Sequence, residues 1–120
     1  MHTLMIVDDS NIIRRRIERC NKKGKFRLVA SAANGIQAVE DYKKTRPSVI
    51  TMDLTMPGMD GIQCIEKIVA MNPDVRILVI SALSDKATGI LALQKGARGF
   101  LCKPFSDEAL YNALVELIED

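Results

Sequence analysis

The chain has 120 residues, 48% of them hydrophobic and 27% charged, with a formal net charge of +2. That length predicts one domain over 1–120 with a core of its own, and so small a net charge argues against a nucleic-acid surface. No apolar run approaches the ~20 residues of a membrane span, and a single histidine, His2, at an end expected to be loose, excludes a Ser-His-Asp triad or a His-rich zinc site from this chain alone.

A strand is predicted over 3–8, where Leu4-Met5-Ile6-Val7 ends at Asp8 and Asp9. The helix expected over 11–22 is marked by Ile13, Ile17 and Cys20. Its Arg14-Arg15-Arg16 run forms no single patch, because consecutive helical residues point in different directions; it reads as a solvated helix face, with partner docking as the alternative. A strand over 27–32 and a helix over 35–44 follow, and then a strand over 48–53, in which Ser48-Val49-Ile50-Thr51-Met52 ends at Asp53. Asp60 caps a helix over 61–71 carrying Ile62, Ile65 and Val69. The strand over 76–81 runs Ile77-Leu78-Val79-Ile80 and ends at Ser81.

The helix over 85–96 is the least ordered in pattern, since Ala87, Ile90, Leu91, Ala92 and Leu93 blur its stripe; partial exposure is expected there. A strand over 99–102, Phe100-Leu101-Cys102, ends at Lys103. The last helix, 106–119, sets Leu110, Ala113, Leu114, Leu117 and Ile118 on one face, with Ser106 as its cap and Asp107 and Glu108 where the helix dipole favours anions.

Five strand-then-helix units predict an α/β fold, a three-layer (βα)5 sandwich around a parallel sheet, because parallel strands need right-handed crossovers. In open sheets of this kind ligands sit at the carboxyl ends of the strands. Asp8, Asp9, Asp53, Ser81 and Lys103 therefore meet at one edge if the first and third strands are neighbours. Clustered carboxylates repel each other, and a hard divalent cation with oxygen ligands relieves them; Mg2+ fits, because it keeps waters and is shared with phosphate oxygens. Lys103 would supply a point charge for a phosphoryl oxygen, and Ser81 a hydrogen bond. Taken singly, each has a plainer reading: Asp9 or Ser10 as a helix cap, Asp53 as a loop carboxylate, Ser81 and Lys103-Pro104 as turns. Cys20, Cys64 and Cys102, without CxxC spacing, read as small buried hydrophobes in a reducing compartment. The opening Met-His-Thr lacks a basic-then-apolar leader, and a cytoplasmic location is expected.

Val7-Asp8-Asp9-Ser10, Met52-Asp53-Leu54, Met56-Pro57-Gly58-Met59-Asp60-Gly61, Ser81-Ala82 and Lys103-Pro104-Phe105 together resemble the receiver domain of two-component response regulators, in order and spacing over essentially the whole chain. Among its members the chain is most similar to single-domain chemotaxis receivers. The resemblance implies a flavodoxin-like strand order, 2-1-3-4-5. It makes Asp53 the phosphoacceptor for a phosphohistidine on a partner histidine kinase. Asp8, Asp9, Asp53 and the backbone carbonyl of Thr55 become the ligands of Mg2+, with Mn2+ as a substitute ion. Lys103 and Ser81 become the binders of phosphoryl oxygens.

The resemblance further implies a switch, in which Ser81 moves toward the phosphoryl group and Phe100 turns inward, remodelling a docking face formed by the fourth helix, fifth strand and fifth helix. As a plain core aromatic Phe100 would need no such role. A cis Lys103-Pro104 bond is implied as well. Thr55 and Leu83, two residues beyond Asp53 and Ser81, lack a carboxylate or carboxamide to orient water, so little help with dephosphorylation is expected from them. The expected product is a monomeric signalling switch, not a turnover enzyme, that binds a protein target and neither nucleic acid nor membrane.

Three other functions compete. One is a receiver cut from a longer DNA-binding regulator. A second, an aspartate-nucleophile phosphohydrolase, needs an acid where Thr55 stands. The third, a flavin-binding relative, would set Asp8-Asp9 against its phosphate.

Overall fold

The apolar runs form the strands that their alternation with amphipathic stretches predicts. In the computed structural model, which describes residues 2–21, 24–56, 58–82 and 86–119, β1 (His2–Val7), β2 (Phe26–Ala32), β3 (Val49–Asp53), β4 (Arg76–Ala82) and β5 (Gly99–Lys103) make one sheet in the order β2-β1-β3-β4-β5. Every neighbouring pair is parallel. The crossovers are α1 (Asn11–Arg19), α2 (Gly35–Thr45), α3 (Gly61–Met71) and α4 (Lys86–Gln94), with α5 (Asp107–Ile118) closing the chain. Fold class and strand order are those expected.

Both faces of the sheet are covered, which is why β3 and β4 read as unbroken apolar runs. Successive side chains nonetheless go to opposite faces. Met5, Val7, Ile50, Met52, Ile77 and Val79 pack with Tyr42, Cys64, Ile65 and Ile68 from α2 and α3. Leu4, Ile6, Val49, Leu78 and Ile80 pack on the other side with Ile17, Leu110, Leu114 and Leu117 from α1 and α5. The predicted stripes on α1 and α5 supply Ile17, Leu110, Leu114 and Leu117; on α3 only Ile65 of the predicted stripe is fully buried, with Cys64 and Ile68 beside it and Ile62 and Val69 at the margin.

The helix starts follow their caps. Asp60 and Gln63 form a reciprocal capping box on α3, and Ser106 accepts from the Ala109 N–H at the head of α5. α1 is shorter than the 11–22 expected, ending at Arg19. Asn21 explains this: its side chain both accepts from and donates to the backbone of Phe26, turning the chain toward β2 instead of extending the helix. α4 exposes Ile90, Leu91 and Leu93 and buries only Gly89 and Ala92, in line with its blurred pattern. Of the cysteines only Cys64 is fully buried; Cys20 and Cys102 are half-buried. Among the described residues no helix is long and apolar enough to cross a membrane.

Candidate functional site

Parallel strands all end at the same edge, so the residues that terminate them are delivered together. Val7 pairs with Met52, so Asp8 leaves β1 beside Asp53, the last residue of β3. Asp53 pairs with Ile80, which sets Ser81 one position further along β4, and Ala82 pairs with Lys103 at the end of β5. The five candidates thus share one sheet edge.

Carboxylate oxygens of Asp8, Asp9 and Asp53 all lie within 4.8 Å of one another. Lys103 Nζ stands 3.2 Å from Asp8 Oδ2 and 3.6 Å from Asp53 Oδ1. Asp8 and Asp53 are buried at 1% and 5% exposure, whereas Asp9 faces outward. Ser10, not Asp9, caps α1, accepting from the Ile13 N–H at 3.3 Å. Capping therefore does not account for the two acids. Instead Asp8 Oδ1 accepts from the Ser10 N–H at 2.8 Å, and Asp53 Oδ1 accepts from the Thr55 N–H at 3.3 Å.

Burial first, and the neighbouring Asp8 charge second, raise the Asp53 carboxyl from 3.8 to about 6; Lys103 and the Thr55 N–H pull it down, and Asp9 adds a small upward push. With all groups ionised, three carboxylates against one ammonium leave two negative charges uncompensated. A divalent cation taking oxygen ligands matches that donor set.

Ser81 is buried at 1% exposure on β4, and Thr55 is exposed. Leu83 lies outside the described residues. Phe100 is half-buried, its ring against α4 beside a cleft of about 350 Å³ lined by Gly89, Ile90, Leu93 and Cys102. The Lys103–Pro104 bond is cis.

Sequence reasoning missed three supporting residues. Gly61 begins α3 so close to β3 that a Cβ there would lie 2.4 Å from the Asp53 carbonyl oxygen. The arginine run is not simply a solvated face, for only Arg15 is fully exposed. Arg14 Nη1 donates to the Asp8 carbonyl at 2.6 Å, and Arg16 Nη2 donates to the Phe105 carbonyl. The Gly58-Met59-Asp60-Gly61 motif signalled the glycine; the Arg14 contact lies only six residues back, but nothing local to Arg16 announced a contact 89 residues away.

Comparison with known proteins agrees with this geometry. The family model described as response regulator receiver domain matches residues 4–115. The chain is 41% identical to the chemotaxis protein CheY of Bacillus subtilis over 113 residues, covering 94% of each. It is 37% identical to the chemotaxis protein CheY of Listeria monocytogenes over 114 residues, covering 95% of this chain and 96% of that one. Among solved structures, a CheX-CheY-BeF3-Mg2+ complex from Borrelia burgdorferi superposes with a TM-score of 0.92 at 30% identity, covering 99% of this chain and 90% of the other.

Proposed function

This chain belongs to the response regulator receiver domain family, and on that premise we propose that it accepts a phosphoryl group from a histidine kinase on Asp53 and thereby switches its binding to a protein target. The observation that carries the reading is the Asp8, Asp9 and Asp53 cluster closed by Lys103 at the strand ends.

The chemistry asks little covalent work of the protein beyond one nucleophile. An Asp53 carboxylate oxygen attacks phosphorus; the new O–P bond forms as the P–N bond to the donor imidazole breaks, and the imidazole leaves with the bonding pair and takes a proton from solvent. Asp53 is buried but titrates near 6, so at neutral pH its nucleophilic form prevails. Lys103 stands within reach of the attacking carboxylate and would bind a phosphoryl oxygen, with Ser81 donating to another. Asp8, Asp9, Asp53 and the Thr55 carbonyl would hold Mg2+, with Mn2+ able to replace it. The ion, when bound, supplies charge for the phosphoryl oxygens. The Borrelia complex, which contains Mg2+ and BeF3, supports this reading.

The kinase must bring the histidine, since His2 begins β1, at the opposite end of the strands from Asp53. Exposed Ile12 and Ile36, near the starts of α1 and α2 at the edge that carries the acids, offer apolar surface to such a partner. The output face is α4-β5-α5, where Phe100 borders the cleft and the α4 leucines are exposed. Relatives named as chemotaxis proteins over nearly their full length favour a chemotaxis pathway. The chain then acts as a switch that catalyses only its own phosphorylation and slow dephosphorylation, since Thr55 cannot orient water as a carboxamide would.

The test is intact mass after incubation with Mg2+ and phosphoramidate. One phosphoryl group should be gained by the wild type, lost with chelator, absent from Asp53→Asn, and shed faster by Thr55→Asn once the donor is removed. No gain in the wild type would end the phosphoacceptor reading.

A further inference from the structure

We propose that Arg16 is a positioning residue for the phosphoryl pocket: it ties the β5–α5 loop to α1 and so holds Lys103 in place between Asp8 and Asp53. The inference rests on the phosphoryl-transfer reading for its consequence, though not for its geometry.

Arg16 reaches across 89 residues of sequence to make two contacts with the β5–α5 loop, and across 91 to make one with the first residue of α5. Its Nη2 donates to the Phe105 carbonyl. Its guanidinium lies over the Phe105 ring, 4.7 Å from the centroid. Its Nε stands 3.2 Å from Asp107 Oδ1. The ion pair by itself counts for little, because the Asp107 side chain is 67% exposed and such pairs are worth under about 1 kcal/mol. The carbonyl and ring contacts are the substantial ones: Phe105 is 6% exposed, and its carbonyl lies two residues past Lys103, where the chain has left the sheet and has not yet entered α5.

Lys103 needs such support. A lysine side chain is flexible, and its ammonium can sit 3.2 Å from one carboxylate and 3.6 Å from another only if the backbone that launches it is fixed. β5 is an edge strand, paired on one side only by β4, so the sheet constrains its end from a single side. Arg16 adds the second constraint from α1. A planar fork can donate to a carbonyl, meet a carboxylate and cover a ring at once, which an ammonium cannot. Arg14, two residues earlier, holds the other loop through the Asp8 carbonyl. One helix thus braces both the acidic and the basic side of the pocket.

The experiment is a double-mutant cycle on the full chain. Phosphorylation by phosphoramidate with saturating Mg2+ is followed for wild type, Arg16→Met, Arg16→Lys, Lys103→Met and Arg16→Met/Lys103→Met, with Arg15→Met as the surface control. Arg16→Met should lower the maximal rate about tenfold, the scale of a sub-ångström misplacement, with a smaller change in donor KM. Arg16→Lys should recover only part of the loss, and Arg15→Met should match wild type. In the Lys103→Met background, Arg16→Met should cost less than about twofold, because the group being positioned is gone.

Equal losses in both backgrounds would mean a general structural role and would overturn the proposal, as would an undiminished rate in Arg16→Met. A second readout needs no phosphoryl chemistry: the 1H–15N correlation of the Lys103 ammonium, held by two carboxylates, should be present in metal-free wild type and Arg15→Met and lost in Arg16→Met. If the wild type takes no phosphoryl group, the functional reading fails, and this signal still decides the clamp: its persistence in Arg16→Met refutes it.

Discussion

At the scale of residues, the raised Asp53 carboxyl has a consequence for stability. An unfolded aspartate releases its proton near 3.8, and in the folded, metal-free protein Asp53 holds on to about 6, first because it is buried and next because Asp8 is charged. Between those values the folded state keeps a proton that the unfolded state has given up, so folding stability falls as pH rises through the window and is level above it. Two pH units correspond to at most about 3 kcal/mol, and relaxation around the site will reduce that. Urea melts in chelator from pH 4 to pH 7 should therefore show a decline that Asp53→Asn lacks, with the variant the more stable at pH 7 by ~1–3 kcal/mol. Parallel curves for the two proteins would show that the metal-free cluster is not strained by charge. Cys64 illustrates the same physics without a function: burial, aided by the Asp60 charge, pushes its thiol up to about 12, as suits a core residue.

At the scale of elements, α4 differs from the other helices in what it lacks. Gly89 is buried in the middle of it, and a Cβ there would fall 2.0 Å from Cε2 of Phe100, so the aromatic ring occupies the volume that a side chain would claim. Glycine inside a helix ordinarily costs about 1 kcal/mol relative to alanine. Gly89→Ala should therefore stabilise the protein by about that amount in a Phe100→Ala background and give no net gain in the wild type, where the new methyl displaces the ring. Thermal melts of the four proteins, with the Phe100 ring resonances of Gly89→Ala, check this. A full gain with the ring unmoved would show that the contact is incidental. Gly61 is the stricter case, since its close neighbours are the backbone of Asp53 and Leu54 and cannot swing aside.

At the scale of the whole molecule, the acidic cluster is a tertiary object drawn from the last residue of β3 and the loop that follows the adjacent β1. A divalent cation held there favours the folded chain, because the unfolded chain scatters the three carboxylates. Raising Mg2+ to about 100 times its dissociation constant should add about 2.7 kcal/mol to unfolding stability. That gain should vanish in Asp8→Asn/Asp9→Asn, which keeps Asp53 and the Thr55 carbonyl but lacks two of the three clustered carboxylates. Denaturant melts across an Mg2+ series measure it, and an undiminished gain in the double variant would place the ion elsewhere.

How far the chain could be read in advance follows from which forces are local. Strand and helix positions were legible because burial imposes a period of two or 3.6 on neighbouring residues, and caps such as Asp60 and Ser106 act within one turn. The strand-end residues were legible for the same reason, as single polar groups that stop apolar runs. Strand order was carried by family resemblance, since the local pattern of β1 is the same whichever strand pairs with it. Tertiary structure alone decided that Arg16 reaches the loop after β5, 89 residues away. The Ser10 cap, the Asn21 turn and the Arg14 contact with the Asp8 carbonyl span only three, five and six residues; there the local pattern left open which of several side chains would take each backbone group. The Arg16 contact depends on which backbone groups are left unpaired once the layers have packed, and no short stretch of sequence contains that information.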